Sequence, residues 1–168
     1  MKIKIYSIGK IKDFYKLGCD EYVKRLKPYC NVEVIEVKDE QIPENPHESE
    51  ITKAKNIEGE RVLKLLKTNE YLIALDLNKK EYDSIEFSKQ ISTKLENNGG
   101  SISFVIGGSY GLSDALKARA NDSISLSKFT FLHQMSRLIL LEQIYRSFKI
   151  LNNETYHKWK EKNLNSSN

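Results

Sequence analysis

The sequence predicts a single α/β domain built on a parallel sheet. Two observations carry this. Short apolar, β-branched runs alternate with helically spaced segments along the chain, the order that wraps a parallel sheet in helices. One of those runs, Tyr71 to Leu77, is apolar at every position but Asp76, as a strand covered on both faces would be. A length of 168 residues suits one compact domain, because a two-domain division would leave each half with a small core.

The elements follow in order. Ile3, Ile5 and Ile8, interleaved with Lys4 and Tyr6, read as a first strand ending at Gly9. Residues 13 to 27 suit an amphipathic helix stopped by Pro28. Val32 to Val37 is a short β-branched run, and Lys38 to His47, with Pro43 and Pro46, is a loop. Residues 48 to 66 return to helical spacing through Ile51, Ala54, Ile57, Val62 and Leu65. After the strand at 71 to 77, residues 84 to 96 form a helix with Ser84 as a candidate N-cap. Asn97 to Gly100 is a turn, and Ile102 to Ile106 is a strand that runs into Gly107-Gly-Ser-Tyr-Gly111. Ser113 caps a short helix, and Ser123 to Ser127 is a fifth strand.

Phe131 to Leu151 is the longest helix. Its apolar residues occupy more than one face, so it must be buried on more than one side. In so short a chain a second copy would most easily cover the extra face, which predicts a homodimer. Glu142 and Arg146 form a helical i,i+4 ion pair of favourable order.

Composition excludes several classes. With 39% apolar and 30% charged residues, the chain is neither disordered nor membrane-embedded. The net charge of +4 permits an RNA partner without demanding one. Cys19 and Cys30 form no C-x-x-C pair and read as buried thiols in a reducing cytoplasm. The N-terminus lacks the unbroken apolar core of a signal peptide, and no segment reaches the length of a membrane span. His47, His133 and His157 lack ligand spacing, so no metal site is expected.

Gly107 to Gly111 follows a strand and precedes a helix, where ligands of parallel sheets bind. It fits G-x-S-x-G, the nucleophile elbow of a serine hydrolase, with Ser109 as nucleophile and Asp114 or Asp122 and His133 or His157 as partners. The chain is short for that fold, and Asp114 lies too close to the elbow. A dinucleotide fingerprint G-x-G-x-x-G and a phosphate loop G-x-x-x-x-G-K-[ST] are both absent. The loop also suits a bare backbone platform, on which a small cofactor lies against peptide groups.

Several segments together resemble one family. They are Leu75-Asp76, Phe104-Val-Ile-Gly-Gly-Ser-Tyr-Gly-Leu112, Leu126-Ser-Lys-Phe-Thr-Phe-Leu-His-Gln-Met-Ser-Arg137, Glu142-Gln-Ile-Tyr-Arg146 and Tyr156-His157. Ile3 to Lys12 and Tyr22 to Pro28 add to the likeness. The family is RlmH, the ribosomal RNA large-subunit methyltransferase H group of the SPOUT superfamily. The resemblance covers residues 1–158 as one domain and leaves 159–168 as a polar C-terminal extension. It implies a parallel-sheet fold with a C-terminal trefoil knot, a feature nearly absent elsewhere. It implies S-adenosylmethionine held by Leu75, by Gly107 and Gly108, and by Leu126, Ser127, Lys128, Phe129, Thr130 and Phe131. The implied reaction is methyl transfer to N3 of a pseudouridine in helix 69 of 23S rRNA within the ribosome. The implied assembly is a homodimer in which the partner's C-terminal tail helps complete the site. Leu132 stands where the family has proline.

The reaction needs the N3 proton removed and the developing charge stabilised. His157 and His133 are the candidates that titrate near neutral pH. Arg137 and Lys128 are candidates to stabilise charge or hold phosphate, and Tyr156 with its neighbours to stack on an unpaired base. A non-catalytic ribosome-binding module of the same fold is the alternative outside catalysis.

Overall fold

The computed structural model describes residues 1–158. Five strands and five helices alternate: β1 (Lys2–Ile8), α1 (Asp13–Leu26), β2 (Asn31–Val37), α2 (Glu48–Leu63), β3 (Leu72–Lys80), α3 (Ser84–Asn97), β4 (Ser101–Ile106), α4 (Asp114–Arg119), β5 (Asp122–Ile124) and α5 (His133–Leu151). The strands form one sheet in the order β2-β1-β4-β3-β5, and every neighbouring pair is parallel. The expected parallel-sheet α/β domain is therefore observed.

Strand alternation divides the core in two. Ile3 and Ile5 of β1 join Ile73, Phe104 and Ile102 under α1, α3 and α5. Tyr6 and Ile8 point the other way and meet Leu72, Ala74 and Val105 under α2 and α4. Burial on both faces is why these strands lack a polar side.

Several sequence boundaries shift for physical reasons. α3 is capped by Asp83, not Ser84: the Asp83 carboxylate accepts from the Glu86 N–H, and the Glu86 carboxylate accepts from the Asp83 N–H. A carboxylate one residue earlier completes a reciprocal box that Ser84 cannot form. β3 continues past Leu77 to Lys80, and β5 stops at Ile124 instead of Ser127. The two pair from Ile73 to Leu75, and then the register jumps so that Lys80 also pairs with Ile124. α5 opens at His133, two residues later than its apolar pattern suggests.

α5 also corrects the argument for a second copy. It lies between α1 and α3 on the sheet, so Leu140, Leu141, Ile144, Tyr145 and Phe148 are buried within one chain. Its wide apolar circumference is explained by two helical neighbours and a sheet. Among the described residues, no helix is long and apolar enough to cross a membrane. The extension at 159–168 lies outside the described residues.

Candidate active site at the strand ends

A cavity of about 870 Å³ opens at the carboxyl ends of β3, β4 and β5. Three sequence-distant segments wall it: Leu75 to Lys79, Ile106 to Gly111, and Leu126 to Ser136 with gaps. Its size falls in the range of small-molecule sites.

The second wall depends on missing side chains. A Cβ added to Gly107 would lie 2.6 Å from the carbonyl carbon of Gly111. The loop folds back that tightly because Gly111 adopts φ +86° and donates its N–H to the Gly108 carbonyl at 3.1 Å. A left-handed turn of this kind favours glycine. The result is a ledge of bare peptide facing the cavity.

Behind that ledge lies Glu58 of α2, 5% exposed. Its carboxylate would stand 3.3 Å from a Cβ on Gly108, and it accepts the Glu40 N–H at 3.0 Å. Burial raises the Glu58 pKa against the lowering effect of that bond, and Asp39 and Glu40 raise it further. A raised folded-state pKa means stability is fully present at low pH and declines as pH rises past the usual carboxylate range. Glu58→Gln keeps an acceptor and removes the charge. The variant is expected to gain stability relative to wild type as pH rises from 5 to 8 in melting experiments; a difference that shrinks with pH would count against this account.

The third wall carries His133 and Ser136 of α5 and the segment before it. His133 Nδ1 is buried and has no hydrogen-bond partner among the described residues. Burial lowers the His133 pKa, and the Arg137 guanidinium adds to the effect against an opposing contribution from Asp39. Lys117 and Asp76 face the same cavity and pair at 3.3 Å.

Of the sequence candidates, the cavity gathers Leu75, Gly107, Gly108, Leu126, Ser127, Phe129, Thr130, Phe131 and His133. Lys128 is exposed and is not a wall residue. Arg137 is 2% exposed and points away from the cavity walls into the strand ends. Its guanidinium donates to Ser7 Oγ at 3.0 Å, to the Gly9 carbonyl at 3.2 Å and to Glu36 at 2.9 Å. With those bonds made, it staples α5 to β1 and β2 one turn after His133.

Tyr156 and His157 also lie outside this chain's cavity. They fold back on α1 and α5. The Tyr156 ring meets Tyr145 edge-on at 4.9 Å, lies 4.8 Å from the Arg146 guanidinium, and donates its hydroxyl to Glu142 at 3.1 Å. Arg146 contacts His157 Nδ1 at 3.2 Å. A guanidinium only donates, so His157 Nδ1 accepts, and the neutral ring carries its proton on Nε2. The Glu142–Arg146 pair read from the sequence forms at 2.6 Å and serves as the seat of this tail. Among the described residues the exposed rim residue Ser109 hydrogen-bonds neither His133, which lines the same cavity, nor His157, which is engaged by Arg146, so no hydrolase triad is assembled around it.

Residues 1–157 match a family model described as "Predicted SPOUT methyltransferase". The chain belongs to the SPOUT methyltransferase family. The SPOUT match spans every wall of the cavity and the tail through His157. Curated relatives named "Ribosomal RNA large subunit methyltransferase H" are similar over their full length. One from Enterococcus faecalis is 45% identical, covering 94% of this chain and 100% of its own. One from Latilactobacillus sakei is 47% identical and one from Clostridium botulinum 49%, each with the same coverage. A Legionella pneumophila protein solved with bound SAM aligns with a TM-score of 0.46 and 10% identity, over 88% of this chain and 66% of that one.

Sequence reasoning on this SPOUT chain passed over Ser125, Asn78, Lys117 and Glu58. Asp76, the one acid in an apolar run, gave a signal. Ser125 and Glu58 gave none, since a serine beside a strand and a glutamate on a helix are ordinary surface residues until the fold buries them.

Proposed function

We propose that this SPOUT methyltransferase moves the methyl group of S-adenosylmethionine to N3 of a pseudouridine in helix 69 of 23S rRNA, within the ribosome. The observation that carries the reading is the convergence of Leu75, Gly107 and Thr130 on one cavity. The full-length relatives named for the ribosomal RNA large subunit support the substrate class.

The walls fit the cofactor. Leu75, Ile106, Leu126 and Phe131 offer apolar surface for an adenine and a methionine chain. The Gly107–Gly108 ledge offers peptide groups free of side chains for hydrogen bonds. When bound, the sulfonium supplies an activated methyl group. The chain's own task is to present the ring nitrogen in line and to manage its proton.

His133 is held uncharged by burial and by Arg137, the state in which an imidazole accepts a proton. His157 has the opposite capacity. With Nδ1 occupied by Arg146, it offers an N–H donor to the carbonyl oxygens flanking N3, where negative charge gathers as the proton leaves. His157 and Tyr156 do not line their own cavity, which suits delivery of the tail to the site of a second copy. Exposed Lys128 suits a phosphate contact.

A homodimer and a C-terminal trefoil knot complete the reading. The dimer is supported by Phe14 and Leu17, 78% and 75% exposed, beside Gly18, which packs against Leu138 of α5. Leu132, 53% exposed, opens the same helix. Isolated large apolar residues this open are ordinary, but a group of them marks an interface. Leu17→Glu is expected to convert the dimer to a monomer in sedimentation equilibrium. A wild-type chain that sediments as a monomer would sink the dimer. The knot is supported by membership of the SPOUT family.

The deciding experiment is mass spectrometry of 23S rRNA from cells lacking this gene. One methyl group should be missing from a helix 69 pseudouridine and return with the gene on a plasmid. An unchanged nucleotide, or ribosome association without cofactor binding, would overturn the reading in favour of a non-catalytic module.

A further inference from the structure

We propose that Ser125 is a positioning residue that holds the cofactor cavity open by fastening a looped-out segment of β3. The inference rests on the reading that the cavity takes S-adenosylmethionine. Leu75 and Lys80 both pair with Ile124 of β5, so Asp76 to Lys79 stand outside the ladder. Those four positions are the first wall of the cavity, together with Leu75. Had β3 continued in register, this chain would run along β5 and the wall would be gone.

One side chain fastens both ends of the loop. Ser125 is 5% exposed. Its hydroxyl accepts the Lys79 N–H at 2.7 Å and donates to the Asp76 carbonyl at 2.7 Å. Its own N–H donates to the Lys80 carbonyl at 2.9 Å. The hydroxyl thus replaces the cross-strand partners that the bulge removes. Only a group that both accepts and donates can do this, which selects serine over alanine, and its shortness suits a site this buried. Ser125 is not itself a wall residue, so its effect on a ligand runs through Asp76 to Lys79.

A second residue commits the backbone to the same detour. Asn78, at the tip, adopts φ +57°. This left-handed conformation is tolerated by asparagine and glycine and strongly resisted by β-branched residues. Leu77 is fixed beside it by the bond from its N–H to Asp76 Oδ1 at 2.9 Å. A buried hydroxyl at the base and a left-handed residue at the tip are independent devices for one shape.

In Ser125→Ala the Lys79 N–H and Asp76 carbonyl lose their partner, and the segment is freed to fall back toward β5. The test combines calorimetric titration of the purified chain with S-adenosylmethionine and methyl-transfer kinetics on ribosomes from the deletion strain. Ser125→Ala is expected to raise both Kd and KM for the cofactor about tenfold, with kcat at saturating cofactor within about twofold of wild type. A merely structural role would lower kcat through lost active enzyme and leave KM alone. If Ser125→Ala does not fold, the exposed tip decides: Asn78→Val should bind the cofactor about tenfold more weakly than Asn78→Gly, since both lose the amide but only valine resists the left-handed turn. Wild-type chain that binds no cofactor defeats the functional reading itself. Wild type that binds while Ser125→Ala, or where that does not fold Asn78→Val against Asn78→Gly, shows equal affinity overturns this proposal and leaves the functional reading standing.

Discussion

Gly107→Ala is expected to weaken S-adenosylmethionine binding about a hundredfold, the scale of loss that follows a shift of roughly 1 Å in a binding element. A methyl group there would sit 2.6 Å from one backbone atom of Gly111 and 2.9 Å from two others. None of the three is a side-chain atom that can swing aside. The loop must open, and the peptide ledge moves with it. The accompanying loss of folding stability is about 1–3 kcal/mol, the usual cost of overfilling a packed site. Gly99→Ala is the control. Gly99, unlike Gly107, has positive φ, +62°, and a Cβ there meets nothing within 4 Å. It should lose stability through strain and keep its cofactor affinity. Titration calorimetry on the two variants checks the contrast, and a Gly107→Ala chain that binds like wild type would refute the ledge.

Arg137→Ala is expected to cost about 3 kcal/mol or more of folding stability, the loss typical of emptying a buried, fully bonded site. The guanidinium is held by Ser7, Gly9 and Glu36. The Glu36 side chain is 41% exposed, so solvent screens that ion pair and it contributes the smaller share. Most of the loss comes from the Ser7 hydroxyl and the Gly9 carbonyl, left without a donor, and from the vacated volume. For a chain of this length the midpoint of thermal melting should fall by roughly 10 °C. Glu36→Gln should cost about 1 kcal/mol or less by the same reasoning. Chemical denaturation of both variants measures the difference. A small effect at Arg137 would mean the guanidinium is free for another task, as the sequence alone suggested.

That contrast shows where sequence reasoning reached its limit. The parallel sheet was legible because its strands advertise double burial: Ile102 to Ile106 and Tyr71 to Leu77 carry almost no polar residue. The glycine ledge was legible because Gly107, Gly108 and Gly111 sit between a strand and a helix. The buried role of Arg137 was not legible, since an arginine on a helix gives no sign of whether it meets solvent or three acceptors on β1, β2 and the residue that follows β1. The extra residues of β3 were hidden for a similar reason. Asn78, Lys79 and Lys80 are polar and carry no strand signal, and only the pairing of Lys80 with Ile124 returns the chain to the sheet. The two faces of α5 were read as buried, one of them by a second copy, whereas α1, α3 and the sheet cover Leu140, Leu141, Ile144, Tyr145 and Phe148 within one chain. A periodic pattern reports that a face is hidden and does not say by what.

The placement of α5 bears on when this chain can fold during synthesis. Its residues Leu140 to Phe148 are the wedge that closes the slot between α1 and α3. A nascent chain that has emerged only through β5 exposes the inner faces of both helices and one side of the sheet, with nothing yet made to occupy them. The larger core therefore cannot close until α5 is made, and the unfinished chain presents sticky surface until α5 arrives.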